Sequence, residues 1–444
     1  MCAGANLRPR VPAFHRARGP AALATGADAG RPGLGGGLLA CVLVVRVLIV
    51  SQHFWPESFR INEVAASLVA QGADVTVLTG QPNYPEGRVF PGYRAWCVQR
   101  ERHVDGYEVL RVPLVPRGPG GALRLVLNYL SFIASAMGFG LWLLRGRRVD
   151  TVFVYATSPI LQALAALWIG RWKRAKVVVW VQDLWPDSLV ITGYVRSPRV
   201  LAAVAAVTRF IYRRSDRLLV QSPAFMAPVQ AMAGATPVAV HENPGDRDAP
   251  LQPLPEGLRK PADRFTLVFA GNLGTVQALE TVLDAAEQAG PDLVWMLVGS
   301  GARSPWLAAE VTRRGLGDRV RLPGRFEAAL MPALFAQADA LLVTLNRAPA
   351  LAQVVPSKIQ AYLAAGRPIL AALDGEGARV VQASGAGLAV AAEDAAGLAT
   401  AARHLQSLDE GRRADMGRAG RRYFETHYEP TQSAQRLMAQ LQSA

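Results

Sequence analysis

Cysteine is nearly absent: three in 444 residues, Cys2, Cys41 and Cys97, too few and too scattered for a disulfide framework or a zinc site. That scarcity points to a reducing, cytoplasmic compartment. Acidic residues are also short, with 34 Asp and Glu against 48 Lys and Arg. The net charge of +14 favours an anionic partner, which leaves nucleic acid, phosphorylated metabolites and anionic lipid open. The six histidines are dispersed, and no Gly-x-Ser-x-Gly, His-Glu-x-x-His or Walker sequence occurs, which argues against hydrolases and NTPases. The arginines are spread through helical segments without interleaved aromatics, so nucleic-acid binding rests on charge alone.

What is present is apolar material, 51% of the chain, enough for two cores. Residues 1–37 are the exception, rich in Ala, Gly, Arg and Pro with five arginines against one aspartate. They read as a disordered extension or a start codon assigned too early. The run Leu38 to Val45 reads as a buried strand, because Arg46 interrupts it and no small-residue cleavage site follows.

From Arg46 the order is a β-branched run, a loop "SQHFWPES", an amphipathic helix and another strand, which is a βαβ unit. Ile61, Val64, Ala65, Leu68 and Val69 share one helical face, and Gly72 stands where the helix should stop. Strands recur at Thr151, Lys176 and Arg217, after which the segment from His241 is crowded with proline and charge. The same grammar restarts with "FTLVFAGNLGT". The fold class expected is α/β, two doubly wound, Rossmann-like sheets facing across a cleft. The expected divisions are a leader at 1–45, an N-terminal domain at 46–240, a linker at 241–263, a C-terminal domain at 264–424, and a last helix at 425–444 crossing back to the first domain.

The stretch Leu125 to Leu144 has 20 residues without charge, enough to cross a bilayer. Crossing would put the strands before and after it on opposite sides, so it is expected to lie as a core helix or, preferably, in the plane of a membrane surface, held by flanking arginines.

In parallel sheets ligands bind beyond the carboxyl ends of the strands, here the loops after Val50, Val181, Ala270, Val298 and Leu345. Gly271, Asn272, Gly274 and Thr275 follow one strand, and Gly299 and Gly301 another, so the backbone can approach a diphosphate. The Gly-x-Gly at 299–301 is incomplete as a dinucleotide fingerprint, which weakens a nicotinamide reading. Ser357 is expected to cap a helix from Lys358 to Ala365, with Lys358 adding a full charge to the helix dipole beside a phosphate. In the first half His53, Glu57 and Arg60 follow the first strand, and Gln182, Asp183 and Asp187 follow a later one, where carboxylates can bind sugar hydroxyls or take a proton.

Taken in order, "SQHFWPES", "VQDLWPDS", "ENPGD", "FAGNLGTVQALETV", "PSKIQAYLAAGRPIL" and "GRRYFETHYEP" resemble a family 4 glycosyltransferase of the GT-B fold, from Arg46 to the C-terminus. The text is similar to the bacterial colanic-acid and O-antigen subgroup, which builds surface polysaccharide on a lipid carrier. The resemblance implies a nucleotide-sugar donor, UDP-linked by preference and carrying an amino sugar or deoxysugar, bound mainly by the C-terminal domain. It implies a polyprenyl-diphosphate-linked acceptor bound mainly by the N-terminal one at the inner face of the membrane. It also implies a retaining transfer that uses no metal or other cofactor. Lys358, Asp183 and Glu57 are then the candidates for chemistry. Gly271, Asn272, Gly274, Thr275, Gly299, Gly301, Arg325, Phe326, Gln353, Ser357 and Gln360 are the candidates for the donor, and His53, Arg60, Gln182 and Asp187 for the acceptor. The family's paired glutamates are replaced by Gln353 and Ala361, and its Arg and Lys on the diphosphate by Asn272 and Gln277, which makes Lys358 the leading phosphate cation. Two other classes compete: a sugar-nucleotide epimerase of similar fold, and a catalytically silent nucleotide-sugar-binding partner.

Overall fold

The computed structural model describes residues 44–119, 121–191 and 197–444. Most of the expected strand at Leu38 to Val45 lies outside these residues, and Val44 and Val45 precede the first strand rather than forming it. The first domain carries β1 (Arg46–Val50), β2 (Asp74–Thr79), β3 (Gln99–Arg102), β4 (Glu108–Arg111), β5 (Thr151–Ala156), β6 (Lys176–Val181), β7 (Arg217–Val220) and β8 (Val238–Val240). They form one sheet in the order β3-β4-β2-β1-β5-β6-β7-β8. All its pairs are parallel except β3 with β4. The second domain carries β9 (Phe265–Ala270), β10 (Leu293–Val298), β11 (Val320–Gly324), β12 (Ala340–Thr344), β13 (Ile369–Ala372) and β14 (Gly387–Val390), in the order β11-β10-β9-β12-β13-β14.

The central strands are legible because helices cover both faces of a parallel sheet, so every position is apolar. All six residues of β9 and of β10 are buried, as are five of the six in β6. The helices used below are α1 (Ile61–Ala70), α2 (Ala122–Leu143, with a π turn at Ala136–Gly140), α3 (Ala163–Lys173), α4 (Pro198–Arg214), α5 (Leu279–Ala289), α6 (Ser304–Arg313), α7 (Ser357–Ala365), α8 (Glu410–His427) and α9 (Pro430–Gln442). Ile61, Val64, Ala65 and Leu68 of α1 are buried, and Gly72 beyond its end has a φ of +87°, a left-handed conformation that glycine adopts without a Cβ penalty.

One face of the first sheet is covered by α2, α3 and α4, whose Phe132, Ile169 and Ile211 enter a common cluster. The other face is covered by α1 and by α9, whose Leu437 and Leu441 enter the cluster on that side. The last helix is tied there by Thr151 Oγ1 donating to the Leu441 carbonyl at 3.1 Å and by Arg217 donating to the Gln440 carbonyl at 2.8 Å.

In each sheet the chain reverses its direction of winding at one place: between β1 and β5 in the first, between β9 and β12 in the second. Such switch points leave a crevice at the carboxyl ends of the strands. The two domains meet near these ends: Ser222 Oγ donates to the Gln353 carbonyl at 2.8 Å, Gln360 Nε2 donates to the Asn243 carbonyl at 2.8 Å, and Val354 packs on the first domain's apolar cluster.

Candidate active site

The second domain builds its half of the site from three loops and one helix. The loop after β9 begins at Gly271, the loop after β10 at Gly299, and they are stitched together: Gly271 N–H donates to the Val298 carbonyl at 2.9 Å and Leu273 N–H to the Ser300 carbonyl at 3.0 Å. A Cβ on Gly299 would lie 1.8 Å from the Gly271 carbonyl oxygen, and one on Gly301 would lie 2.4 Å from that of Leu273. Both glycines therefore serve loop-on-loop packing before any ligand arrives. The loop after β12 joins them, with Asn346 Oδ1 accepting from Ala278 N–H at 2.8 Å and Thr344 Oγ1 donating to the Gln277 carbonyl at 2.5 Å.

Helix α7 runs beneath these loops. Lys358 and Tyr362 are four residues apart and so share a face. Tyr362 is fully buried, and its hydroxyl accepts the N–H of Ala270, the last residue of β9, at 3.1 Å. That fixes the helix against the strand end and carries Lys358 under Gly271, where a Cβ would meet Lys358 Cε at 2.6 Å. Gly271, at φ +145°, is required there on both counts.

The Lys358 ammonium lies 4.4 Å from the centre of the Phe269 ring and donates to Gln277 Oε1 at 2.7 Å. Both of these partners are neutral. The ring face and the amide oxygen favour the cation by about 1–2 kcal/mol between them. Desolvation wins nevertheless and lowers the lysine pKa from 10.5 to about 8. A half-buried cation held by two neutral groups is one that an incoming anion would stabilise.

Ser357 departs from the expectation of a cap. The helix begins with it, Pro356 holds the N-cap position, and no side chain accepts from the first-turn amides. The serine is exposed, the Ile359 N–H donates to the Pro356 carbonyl at 2.9 Å, and the N–H groups of Ser357 and Lys358 are without an acceptor among the described residues. Asn272 and Thr275 are also exposed at the loop tip, while Gly274 is buried beside the Asn272 amide. Arg325 is exposed, one residue beyond Gly324, whose carbonyl accepts from Gly299 N–H at 2.8 Å. Phe326 packs on the apolar cluster that α7 shares.

On the first domain's side Asp183 follows β6 directly. Its Oδ2 accepts from Ser158 Oγ at 3.1 Å, and Ser158 in turn accepts from Trp185 Nε1 at 3.2 Å. Burial raises the Asp183 pKa, and the Ser158 hydroxyl partly offsets the rise. Asp187 is exposed, four residues on, at the start of a short helix.

Glu57 requires a correction. Expected to work on the acceptor, it is 2% exposed and fully engaged. Its Oε1 accepts from Asn83 N–H at 2.7 Å and Tyr84 N–H at 2.6 Å, and its Oε2 from Phe54 N–H at 3.2 Å and His53 Nδ1 at 3.0 Å. The carboxylate is a strut that pins the loop after β1 to the loop after β2. His53, stacked on Phe59 with ring centres 5.3 Å apart, belongs to the same strut, and its Nε2 is buried without a partner among the described residues.

Three further expectations move from ligand to junction. Arg60 bonds Glu63 and, at 2.6 Å, Asp246 of the linker. Gln360, offered as a substitute for a ribose-binding glutamate, is 6% exposed and spent on the Asn243 carbonyl. The Gln182 Oε1 accepts from Asn243 Nδ2 at 2.9 Å, which also reaches Gln221 Oε1 at 2.9 Å. Gln221, Ser158 and Ser222 escaped the sequence reading, because single polar residues at strand ends carry no motif, and Asn243 stood inside "ENPGD" with no role assigned to it. Asp246 closes the same "ENPGD" and likewise had no role assigned, and Asp248 escaped altogether; Arg60 holds the first of these carboxylates and Arg421 the second, each at 2.6 Å.

Two family models match this chain, a glycosyl transferase 4-like domain over residues 58–245 and a glycosyl transferases group 1 domain over residues 264–407. They fall on the two sheets, one each. The chain belongs to the family 4 glycosyltransferases.

This family 4 glycosyltransferase is similar to the colanic acid biosynthesis glycosyl transferase WcaI of Escherichia coli (strain K12), 27% identical over 339 residues that cover 72% of this chain and 82% of the relative. Its fold is shared by sucrose-phosphate synthase from Thermosynechococcus elongatus, with a TM-score of 0.65 at 18% identity over 90% of this chain and 98% of that one. It is shared also by Anabaena HepE in complex with UDP and glucose, with a TM-score of 0.61 at 16% identity over 90% and 100%. WaaG, a glycosyltransferase involved in lipopolysaccharide biosynthesis, superposes with a TM-score of 0.54 at 15% identity over 87% and 98%. In the present glycosyltransferase Ala361, expected at the place of the second family glutamate, packs in an apolar cluster, and the carbonyl of Gln353, expected at the place of the first, is held across the domain junction by Ser222.

Proposed function

We propose that the protein transfers a sugar from a nucleotide-sugar, UDP-linked by preference and carrying an amino sugar or deoxysugar, to a lipid-linked acceptor in surface polysaccharide biosynthesis, with retention of anomeric configuration and without a metal ion. The observation that carries this reading is the Lys358 ammonium. It lies at the switch point of the second sheet, at the open N-terminal turn of α7, with neutral partners and a pKa lowered by burial. A diphosphate there would find a full charge, a helix dipole and the open amides of Ser357 and Lys358 together. The relative WcaI, named for colanic acid biosynthesis, supports the polysaccharide context, and the neighbour holding UDP and glucose supports the donor class.

In the step proposed, the bond from the anomeric carbon to the diphosphate oxygen breaks and its electron pair leaves with UDP. The acceptor oxygen forms the new bond to that carbon from the same face that the diphosphate leaves, which keeps the configuration, and its proton passes to Asp183. Lys358 and the α7 amides stabilise charge as it accumulates on the leaving group, which is differential binding of the transition state. Raised by burial, the Asp183 pKa suits the carboxylate to accepting a proton.

A thermal-shift panel of UDP, GDP and dTDP sugars tests the donor, since a ligand that binds only the native state stabilises it in proportion to occupancy. The expected outcome is a rise in melting temperature with UDP sugars, lost in Lys358→Ala. A panel without any nucleotide response overturns the reading. Nuclear magnetic resonance of the product's anomeric proton decides retention, and turnover unchanged in EDTA decides the metal.

A further inference from the structure

Helices α2, α3 and α4 form one outer layer on the first sheet. A layer facing water should turn polar residues outward. This one does not. On α2 the side chains of Leu123, Val126, Leu127, Leu130, Phe139 and Trp142 are 44–74% exposed. The π turn at Ala136–Gly140 adds a residue to the winding and brings Phe139 and Trp142 back to the outer side of the helix. On α3, Trp168 and Trp172 are 43% and 63% exposed and stack edge to face, one turn apart, with ring centres 5.7 Å apart. On α4, Phe210 is half exposed beneath the Arg214 guanidinium. Around these rings Arg145, Arg148, Arg171, Arg174, Arg209 and Arg213 are exposed.

The charge is as uneven as the apolar surface. Between Val109 and Ser215 there are fifteen Lys and Arg against three Asp and no Glu, so this one segment accounts for most of the chain's excess of +14.

We propose that this layer docks on an anionic lipid bilayer, with α2 in the plane of the membrane, Trp142, Trp168 and Trp172 at the headgroup level and the arginines on lipid phosphates. The chemistry selects that occupant over two others. A spanning helix is excluded because β1, before α2 in the chain, and β5, after it, are hydrogen-bonded neighbours in one sheet, so both ends of the helix lie on the same side. A second copy of the chain would set like arginines against one another, which costs free energy at close range. An anionic bilayer meets exposed aromatics, aliphatic side chains and a basic rim at once.

The layer is joined to the cleft. Asn128 of α2 accepts from Gln52 Nε2 at 2.7 Å, and the Gln52 N–H donates to Gln162 Oε1 at 2.6 Å. Through these two bonds the docking helix grips the loops after β1 and β5, the switch point of the first sheet. A lipid-borne acceptor in the bilayer would therefore reach the acceptor half of the cleft along this edge.

The test is flotation of the full chain with vesicles of phosphatidylcholine, alone and with phosphatidylglycerol, alongside tryptophan fluorescence. Expected is binding that rises roughly tenfold or more with the anionic lipid and weakens with salt, accompanied by a blue shift. Trp168→Ala with Trp172→Ala should abolish the blue shift and weaken flotation, and Arg171→Glu with Arg174→Glu should remove the preference for phosphatidylglycerol. Both pairs are on the surface, so the melting temperature and transfer to a short-chain soluble acceptor stay as in the wild type. The proposal is overturned if the wild type stays off anionic vesicles at low salt. It is equally overturned if sedimentation reveals a dimer that these substitutions dissolve while flotation is unchanged. Flotation reads lipid contact alone, so its failure leaves the transferase reading standing, and a missing transferase activity leaves the docking surface standing.

Discussion

Glu57, buried, and Lys358, half-buried, are charges at the carboxyl ends of two similar sheets, one in each domain, and they are built to opposite ends. Glu57 accepts three backbone amides and a histidine nitrogen, leaving neither oxygen free. Lys358 rests on a ring and a single amide oxygen, and burial lowers its pKa. Both are drawn out of solvent, Glu57 fully and Lys358 in part. What separates the two is how far the hydrogen-bonding capacity of each charge has been used up, which makes Glu57 a strut and leaves Lys358 open to the ligand proposed for it.

The comparison breaks most visibly at Glu57. Glu57→Ala orphans three amides, each worth about 1–3 kcal/mol, so urea unfolding should reveal a loss of about 4 kcal/mol or more. If stability were unchanged while turnover vanished, the carboxylate would be a working group and the contrast would fall. Lys358→Ala should do the reverse. A fall in turnover of about 10²–10³-fold is expected, the scale of removing one preorganised donor, with a far-UV spectrum and apo melting temperature like those of the wild type. Equal losses of stability in the two variants would erase the distinction.

A pH titration sharpens it further. The lysine's folded pKa, about 8, lies below its ordinary 10.5, so between those values the unfolded chain holds a proton that the folded chain has released. This group therefore makes the protein gain stability as pH rises through that window, while UDP affinity falls by roughly tenfold per unit above pH 8 as the free enzyme loses its charge. Calorimetry in buffers of different ionisation enthalpy should detect proton uptake on nucleotide binding near pH 8. Affinity independent of pH across the window would remove Lys358 from the phosphate. The smallest effect is expected at Ser158→Ala. Deleting the hydroxyl that holds the Asp183 pKa down should move the acid limb of the kcat/KM profile to higher pH. An unmoved limb would take Asp183 out of proton transfer.

Much of the frame was legible in the sequence because parallel strands buried on both faces are uninterrupted apolar runs. The ends Val50, Val181, Ala270 and Val298 were read where the structure places them, and only the strand expected to finish at Leu345 stops at Thr344. The strands β3 and β4 were not read. β3 is "QRER", an exposed antiparallel edge that needs no apolar pattern, and its neighbour is short. The site was legible as a set of loops but not as a set of roles. Gln360 looked free for a ribose and is consumed at the domain junction, and Ser357 looked like a cap and is the first helical residue. Spacing places a residue on a face, whereas its partners come from segments a hundred residues away.

The sequence alone determined which stretches could be strands, that Lys358 stands at a helix mouth beside a proline, and that positive charge gathers between Val109 and Ser215. These follow from local rules: side-chain volume, β-branching, backbone freedom at glycine and the sign of a charge. Tertiary structure decided which charges are satisfied. It brought the amides of Asn83 and Tyr84 onto Glu57 and a lone amide oxygen onto Lys358, and it left the outer side of α2 bare. The physical reason is that desolvation and hydrogen-bond saturation depend on every group within a few ångströms, and only the folded chain sets that neighbourhood.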